Sequence, residues 1–348
     1  MKSLIHRLEQ EHDLSDRELL ALITLDDSDT ERYLAERAEA VRQRVYGKDV
    51  YIRGLIEFTN YCKNDCYYCG IRRSNGCAQR YRLTPQEILD CCHTGYDLGF
   101  RTFVLQGGED PFFTKERIAE LVQAIKRAHP DCAVTLSVGE KDRDTYQAWF
   151  DAGADRYLLR HETADDGLYR HLHPEDLSLE HRRDCLSTLK DIGYQVGCGF
   201  MVGSPGQTPE MLVSDLRYLQ KLQPHMVGIG PFIPHKDTPF RDQPAGPAEM
   251  TLRLLSIIRL MLPEILLPAT TALGTIQGDG RQQGMKYGAN VVMPNLSPLS
   301  VRKKYALYDN KIATGEEAAE SVSLLKQSME AVGYRVVTAR GDWKGGVK

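Results

Sequence analysis

The alternation of short apolar runs with amphipathic stretches is the feature that most constrains the fold of this chain. Between positions 50 and 293, the apolar runs have the length of strands and the stretches between them have the length of helices. Such alternation is typical of βα units around a parallel sheet, and eight strands predict an α/β fold, the (β/α)8 or TIM-type barrel. A six-strand partial barrel with a C-terminal extension is the alternative, because the last two runs give the weakest strand patterns. The candidate strands cover 50–58, 102–105, 133–137, 156–159, 195–201, 226–229, 266–269 and 290–293.

Helix-start signals support this division. Thr84 and Glu87 provide a capping box for a helix that opens with a proline. Ser15 and Glu18 form the same motif in a polar N-terminal stretch, which continues with a helix over 30–45. Further helices are predicted over 115–128, 143–152, 179–191, 209–222 and 247–262.

The chain is therefore predicted to have three parts: N-terminal helices over 1–48, the barrel over 49–311, and a short C-terminal extension over 312–348. From Gly341 onward the sequence is rich in glycine and charge, which favours a mobile tail. Catalytic residues of such barrels lie at the C-terminal ends of the strands, so a functional site is expected there.

Composition bears on the class of partner and on the compartment. The net charge is −4 and the pI about 6.2, so no excess of basic residues favours nucleic acid. No run approaches the roughly 18 apolar residues of a membrane span, and the first residues lack the apolar core of a signal peptide. Nine cysteines without such a signal are typical of reduced thiols or metal ligands. We expect a cytoplasmic protein with neither nucleic acid nor membrane as a partner.

Three of these cysteines, Cys62, Cys66 and Cys69, directly follow the first candidate strand with the spacing C-x3-C-x2-C. Structural zinc takes four ligands, and a cubane iron–sulfur cluster usually takes four thiolates. Three thiolates would leave one iron open to bind another molecule, which is the property of a reaction centre. Three structural cysteines, or a non-catalytic zinc or iron–sulfur carrier, are the competing hypotheses. A carrier would not need the glycine-containing motifs that follow several other strands.

With Tyr68 before its last cysteine and Gly70 after it, this motif resembles that of the radical S-adenosylmethionine (SAM) enzymes. The resemblance implies that the three cysteines hold one [4Fe-4S] cluster and that SAM chelates the fourth iron. It implies that an electron, from a reductant such as flavodoxin or ferredoxin, splits SAM into methionine and a 5′-deoxyadenosyl radical. It also implies that Tyr68 packs near the adenine.

A glycine motif after the second strand resembles another part of the SAM site. The motif consists of Gln106, Gly107 and Gly108. Its two glycines have no Cβ atom, so the backbone there can approach a ligand closely. The resemblance implies that this backbone holds the SAM amino group. An ordinary glycine turn is the alternative interpretation.

Four more residues are expected to contact SAM. Glu162, directly after the fourth strand, is positioned to accept hydrogen bonds from the ribose or the ammonium group, although a surface cluster would look the same in sequence. The resemblance implies that Arg182 forms an ion pair with the SAM carboxylate, since a guanidinium group matches carboxylate geometry. A solvated helical arginine, or Arg183 in its place, is the alternative. Met201 and Ile229 lie in glycine-containing runs at the ends of the fifth and sixth strands. The run with Ile229 suits a flat base that lies against the backbone, whereas a simple turn is the alternative for the run with Met201.

Longer strings resemble one branch of the superfamily, the HydE family of [FeFe]-hydrogenase maturases. The resemblance implies a role in building the organometallic diiron subcluster, with a sulfur-ligated iron carbonyl/cyanide precursor as substrate and other hydrogenase maturases as partners. Some relatives carry three further cysteines near the C-terminus for a second cluster. No cysteine occurs here from position 311 to the end, so one cluster per chain is predicted. The matching strings are 56–60, 105–111, 154–163, 227–235, 268–272 and 288–295.

The remaining candidates are expected to face the substrate. They carry guanidinium or hydroxyl groups, which suit a small anionic molecule or complex inside a barrel, although each could instead make a structural hydrogen bond. Radical SAM enzymes of amino-acid or cofactor biosynthesis, of the 3-methylornithine synthase or biotin synthase type, are the alternative function. The further cysteines that biotin synthase uses for a second cluster are not found here. The candidate substrate residues are Arg53, Thr270, Thr271, Arg302 and Tyr305.

Overall fold

The computed structural model describes residues 1–312, 315 and 318–345 of the chain. Its strands are β1 Asp49–Ile52, β2 Gly54–Thr59, β3 Thr102–Gly107, β4 Ala133–Ser137, β5 Arg156–Leu158, β6 Gln195–Cys198, β7 Met201–Val202, β8 Met226–Val227, β9 Gly230–Pro231, β10 Val291–Val292 and β11 Arg335–Val337. Its helices are α1 Lys2–Glu11, α2 Asp16–Ile23, α3 Ser28–Tyr46, α4 Pro85–Asp97, α5 Lys115–Ala128, α6 Arg143–Asp151, α7 Asp166–Leu172, α8 Leu179–Ile192, α9 Pro209–Leu222, α10 Ala248–Met261, α11 Thr271–Ile276, α12 Gly280–Lys286, α13 Leu299–Arg302 and α14 Ala318–Glu330.

The predicted α/β alternation around a parallel sheet is confirmed. Six strands form the main sheet in the order β2-β3-β4-β5-β6-β8, while β1 lies between β10 and β11, and β7 pairs with β9. Neighbouring strands in all three sheets are parallel, so their C-terminal ends meet at the same edge. Isolated parallel bridges continue the pairing between Met226 and Leu266, between Pro268 and Val291, and between Leu55 and Asn295.

The capping boxes are where the sequence predicts them. The Thr84 side chain accepts a hydrogen bond from the Glu87 backbone N–H, and Glu87 caps Thr84 in return, at the start of α4. Ser15 and Glu18 do the same for α2. Helices α5 and α9 begin and end at the predicted residues, because their N-caps and apolar stripes mark both ends clearly.

Two predicted strands are interrupted. The run 50–58 is divided at Arg53, where the chain passes from the sheet of β1 to the sheet of β2. The run 195–201 is divided at Gly199, whose φ of 151° brings its backbone so close to the next strand that a Cβ would overlap the Gly228 carbonyl oxygen. The predicted strand over 266–269 is replaced by isolated bridges.

The C-terminal extension packs against the N-terminal end of the sheet, so the prediction of a mobile tail is wrong for residues 341–345. Nη2 of the buried Arg156 donates a 2.6 Å hydrogen bond to Asp342 Oδ1. The Trp343 ring packs edge-on against His225 at 4.8 Å between centroids. The last three residues of the predicted tail lie outside the described residues.

The N-terminal helices and the C-terminal extension share one hydrophobic core with the central sheet. That core contains Leu8 of α1, Leu34 of α3 and Leu325 of α14 together with apolar residues of the strands. Helix α3 packs along α10 on the outside of the sheet. The three predicted parts of the chain therefore fold against one another, and the loops at the C-terminal ends of the strands remain for a site.

Candidate active site

The cysteine loop begins directly after β2 and packs on the loop after β3. The Lys63 N–H donates a 2.9 Å hydrogen bond to the Glu109 carbonyl oxygen. A Cβ on Gly108 would overlap the Tyr61 carbonyl oxygen and would lie 2.8 Å from the Cβ of Cys62. Gly108 therefore has a structural function that the sequence did not indicate, because it lets the cysteine loop lie directly on its backbone.

The three motif cysteines form a site that needs a cation. Burial is the main cause that raises the pKa of each thiol, and neighbouring cysteines contribute for Cys66 and for Cys69, whose pKa is about 12. Three thiolates in such surroundings need a bound metal to offset their charge. No three His, Cys, Asp or Glu side chains converge on a single metal ion in the described part of the chain. A cubane cluster takes one thiolate per iron and does not need such convergence, so the donor set fits [4Fe-4S] better than zinc.

An ion pair within the cysteine loop fixes its shape. Asp65 accepts hydrogen bonds from Nε and Nη2 of Arg72 at 2.8 and 2.6 Å, and from the Ser74 N–H at 2.9 Å. The Arg72 guanidinium group is the main reason why the pKa of Asp65 is lowered. Tyr67 ties the loop to α7, because its N–H donates a 3.0 Å hydrogen bond to the Leu172 carbonyl oxygen.

Glu162 faces the cysteine loop in an unusual backbone conformation. Its φ is 66°, in the left-handed region that residues other than glycine seldom adopt. Its Oε2 is buried and lies 3.2 Å from Arg160 Nη2, without hydrogen-bond geometry to any described residue. The carboxylate charge contributes to the raised pKa values of Tyr68 and Cys66, whose main cause is burial. Glu162 Oε2 is thus a buried acceptor beside the cysteine loop that is available to a ligand.

Arg182 of α8 lies beside the same loop and is partly engaged. Its Nε donates to Glu140, and its Nη1 donates a 2.9 Å hydrogen bond to the Arg160 carbonyl oxygen. Burial alone would lower its pKa, but the nearby Tyr169 and Glu140 raise it well above its usual value. The guanidinium group stays charged, and its Nη2 makes no hydrogen bond to a described residue.

The other predicted SAM residues line the same region. The Tyr68 hydroxyl lies 3.2 Å from His173 Nε2. Burial lowers the pKa of His173 to about 3, so its ring is neutral. Met201 and Tyr68 belong to one apolar cluster, and Ile229 is buried next to Gly230, the partner of Met201 in the pairing of β7 with β9.

Two of the predicted site residues contact each other in the interior beside the cysteine loop. Gln106 Nε2 donates a 3.4 Å hydrogen bond to the hydroxyl of the buried Tyr305. Nearby, Glu57 forms a buried ion pair with Lys311 and accepts a 2.8 Å hydrogen bond from Asn295 Nδ2. Polar groups therefore line this end of the sheet on the inside.

Thr270 and Thr271 lie at the same end, at the start of α11. Thr270 is the N-cap of this helix, and its Oγ1 would lie 2.8 Å from a Cβ on Gly230. Thr271 Oγ1 accepts a 3.2 Å hydrogen bond from Arg281 Nη2. Both threonines are half-buried and sit close to the strand ends that carry Met201 and Ile229.

The structure does not bring Arg53 to this site. Arg53 precedes β2 and therefore lies at the opposite, N-terminal end of the sheet. Its Nη1 lies 2.9 Å from the Met226 sulfur, and its Nη2 lies 3.4 Å from the Gly341 carbonyl oxygen. Burial, together with the charge of Arg156, lowers its pKa well below the usual value. The prediction that Arg53 contacts substrate beside SAM is corrected, because the strand break places it at the wrong end.

Arg302 lies on the short helix that follows β10. It is buried in α13, and its Nε donates a 2.7 Å hydrogen bond to the Ser297 carbonyl oxygen. Its charge acts on the thiol of Cys91, which belongs to α4. The hydrogen bond to Ser297 anchors Arg302 to the segment that follows β10, and its contact with substrate stays a prediction.

Sequence reasoning missed several polar residues of the site. Glu140 and Lys141 follow β4 after Gly139, and Lys63 and Lys141 lie 3.3 and 3.9 Å from Glu109 Oε2. Ionisable residues shortly after a strand end were a usable signal for this pair, as they were for Glu162. No local signal could reveal the ion pair between Glu57 and Lys311, which joins distant parts of the chain.

We expect Glu162→Gln to weaken SAM binding by about 1–3 kcal/mol, because a charge-assisted hydrogen bond to the ligand is lost. The iron content should stay at that of the unaltered protein. Equilibrium binding of SAM to anaerobically reconstituted protein measures the effect, with the exposed Glu175→Gln as the matched control. Equal SAM affinity in Glu162→Gln and the control would remove Glu162 from the SAM site.

The sequence of this chain is similar to those of known proteins. A family model described as the radical SAM superfamily matches residues 56–219. The sequence is 42% identical to the [FeFe] hydrogenase maturase subunit HydE of Thermotoga maritima over 344 residues, which cover 99% of this chain and 97% of that protein. The chain belongs to the radical SAM superfamily, in the family of HydE. As a member it is an enzyme, and its cofactors are a [4Fe-4S] cluster and SAM.

A second relative has a different named activity. The 3-methylornithine synthase of Methanosarcina barkeri is 32% identical over 338 residues, which cover 96% of this chain and 93% of that protein. The crystal structure of methylornithine synthase (PylB) superposes with a TM-score of 0.85 at 29% identity, covering 96% of this radical SAM chain and 97% of the other. No described helix of this chain is long and apolar enough to cross a membrane.

Proposed function

We propose that this radical SAM enzyme acts in maturation of the [FeFe]-hydrogenase active-site cluster, on a small sulfur-ligated iron carbonyl/cyanide precursor. The observation that carries this proposal is the 42% identity to HydE over 99% of the chain, against 32% to 3-methylornithine synthase. The other hydrogenase maturases are its expected partners, and a flavodoxin or ferredoxin its expected reductant. The site of reaction is the end of the sheet where the strands have their C-termini.

The enclosing scaffold is proposed to be a closed (β/α)8 barrel. The pairing that runs from β2 to β8 continues through the bridge at Leu266, and the bridge from Pro268 leads to β10. Asn295, just beyond β10, bridges back to Leu55 of β2, which supports closure of the ring. Such a barrel would place the cysteine loop and Tyr305 on one interior and keep water from the reacting atoms.

Each residue of the site has a proposed task. Cys62, Cys66 and Cys69 would hold the [4Fe-4S] cluster, which when bound supplies the electron that splits SAM into methionine and a 5′-deoxyadenosyl radical. Glu162 would accept hydrogen bonds from the SAM ribose or ammonium, and Arg182 Nη2 would donate to its carboxylate.

The remaining proposed contacts divide between SAM and the substrate. Tyr68, Met201 and Ile229 would pack around the adenine, and the backbone of Gly107 and Gly108 would hold the amino group. Gln106 and Tyr305 lie on the inside of the proposed barrel, with Thr270 and Thr271 at its mouth. Their amide and hydroxyl groups would donate hydrogen bonds to an anionic complex.

We expect Tyr305→Phe to separate the substrate site from the SAM site. The substitution keeps the buried ring and removes only the hydroxyl, so SAM affinity and uncoupled SAM cleavage should stay within about twofold of the unaltered enzyme. Activation of a hydrogenase in a reconstituted maturation assay should fall at least about tenfold. Tyr287→Phe, at the residue that follows α12 and away from the site, is the matched control.

Two outcomes of this experiment decide between hypotheses. Normal hydrogenase activation by the Tyr305→Phe enzyme would show that this wall is not the substrate site. Failure of the unaltered enzyme to support any activation would favour the second candidate, a 3-methylornithine synthase, which is the activity named for the structure with a TM-score of 0.85. Formation of 3-methylornithine by the unaltered enzyme would then identify it.

A further inference from the structure

A buried polar pair joins the loop after β5 to helix α9. His161 and Asp215 are both fully buried, and His161 Nε2 donates a 3.1 Å hydrogen bond to Asp215 Oδ1. The same oxygen accepts a 2.6 Å hydrogen bond from the Ala164 N–H. One carboxylate oxygen of α9 therefore fixes both ends of the segment 161–164.

That segment contains the left-handed Glu162. A residue other than glycine persists at a φ of 66° only where its surroundings determine the backbone. On one side, the Glu162 N–H donates 3.0 Å to the Gly199 carbonyl oxygen, and the Glu162 carbonyl accepts 3.2 Å from the Met201 N–H. On the other side, the contacts to Asp215 complete the support.

The conformation decides where the Glu162 carboxylate points. In the structure its charge acts on the half-buried Tyr68 and Cys66, which places it at the cysteine loop. Loss of the contacts to Asp215 would release the segment 161–164 to more favourable backbone angles. The carboxylate would then leave the position from which it can meet SAM.

Packing alone does not explain this pair. The His161 ring lies between the rings of Phe200 and Tyr218, at centroid distances of 5.7 and 4.8 Å. Neither His161 Nδ1 nor Asp215 Oδ2 has a hydrogen-bond partner among the described residues. An apolar pair would fill such surroundings without the desolvation cost of two polar groups. The advantage of His161 and Asp215 must therefore be the backbone orientation that their hydrogen bonds impose.

We propose that Asp215 and His161 are positioning residues for SAM, which hold Glu162 in its left-handed conformation toward the ligand. Neither side chain needs to touch SAM. The inference rests on the proposed function, in which Glu162 binds SAM.

The test compares two substitutions of Asp215. In Asp215→Asn the amide oxygen can still accept from His161 Nε2 and from the Ala164 N–H, so we expect the SAM dissociation constant to stay within about threefold of that of the unaltered enzyme. In Asp215→Leu both hydrogen bonds are lost, and we expect at least about tenfold weaker SAM binding with an unchanged iron content. Leu216→Ala, a buried neighbour on α9, is the control for a loss of stability without a loss of positioning.

A second readout separates positioning from general damage. Because Asp215 acts through Glu162, the double variant Glu162→Gln/Asp215→Leu should bind SAM about as weakly as the weaker single variant. If Asp215→Leu does not fold, His161→Gln and His161→Phe carry the test, since only glutamine keeps a donor. We then expect the glutamine variant to bind SAM at least about tenfold more tightly than the phenylalanine variant.

Three outcomes would overturn the inference. They are SAM affinity in Asp215→Leu equal to that of the unaltered enzyme, an equal loss of affinity in Asp215→Asn and Asp215→Leu, and additive losses in the double variant. Failure of the proposed function is distinguishable, because then Glu162→Gln itself would leave SAM affinity unchanged. A weakened Glu162→Gln with an unaffected Asp215→Leu would overturn the positioning inference alone.

Discussion

Replacing Cys66 by alanine is expected to abolish both the iron–sulfur cluster and the cleavage of SAM. The three half-buried cysteines of the motif supply all the cysteine ligands of the site, and two thiolates do not retain a cubane through purification. The unaltered chain should bind about four irons and four sulfides, since it has no cysteine beyond Cys198 for a second cluster. Iron and sulfide analysis after anaerobic reconstitution, with quantification of 5′-deoxyadenosine after reduction, measures both losses.

Cys91→Ala is the control for this substitution. Cys91 is buried, but it belongs to α4 and not to the cysteine loop, so its loss should leave the iron content unchanged. SAM cleavage by Cys66→Ala at the rate of the unaltered enzyme would contradict the assignment of the cluster. About eight irons per unaltered chain would contradict the prediction of a single cluster.

Gly108→Ala is expected to damage the same site without removing any ligand. The added Cβ would overlap the Tyr61 carbonyl oxygen, so the backbone of the cysteine loop must move. Overpacking of this kind costs about 1–3 kcal/mol, and here the displaced residues lead directly into Cys62. We expect less than about half of the normal iron content and a correspondingly low rate of SAM cleavage.

Gly76→Ala is the matched control. A Cβ at Gly76 would have no heavy atom within 4 Å, and the residue lies shortly after the cysteine loop. It should keep the full iron content and SAM cleavage. A Gly108→Ala protein with the full iron content and normal SAM affinity would show that close packing of the two loops is unnecessary.

The parts of the molecule that the sequence predicted are those with local signals. Thr84 with Glu87 marks a helix start within four residues, and the cysteine loop follows a strand in unbroken sequence. Glu162 was found in the same way, because ionisable residues directly after a buried strand indicate that they face a site. Each of these signals depends on neighbours in the chain, so a single sequence contains it.

The errors concern contacts between distant residues. Arg53 was taken to face the substrate because the run 50–58 has the pattern of one strand, but the chain changes sheets there and leaves Arg53 at the other end. Asp342 was assigned to a mobile tail, yet it pairs with the buried Arg156. Neither the alternation of apolar runs nor the composition indicates that the buried Arg156 pairs with a carboxylate far along the chain.

The site has the same division between local and distant information. The ligands and the glycines that surround them follow from the motif, whereas the support behind Glu162 comes from Asp215 on a helix some fifty residues later. The ion pair between Glu57 and Lys311 likewise joins residues that are far apart in the sequence. Such supports depend on the packed fold, so they became visible only in the structure.

We expect this enzyme to cleave SAM by reduction, with the electron supplied by the cluster that the three cysteines would hold. The most direct measurement is the anaerobic reaction of the reconstituted, reduced enzyme with SAM, with methionine and 5′-deoxyadenosine both quantified. We expect the two products in equal amounts, dependent on the reductant. A protein that holds about four irons and binds SAM, yet forms neither product under reduction, would contradict the account.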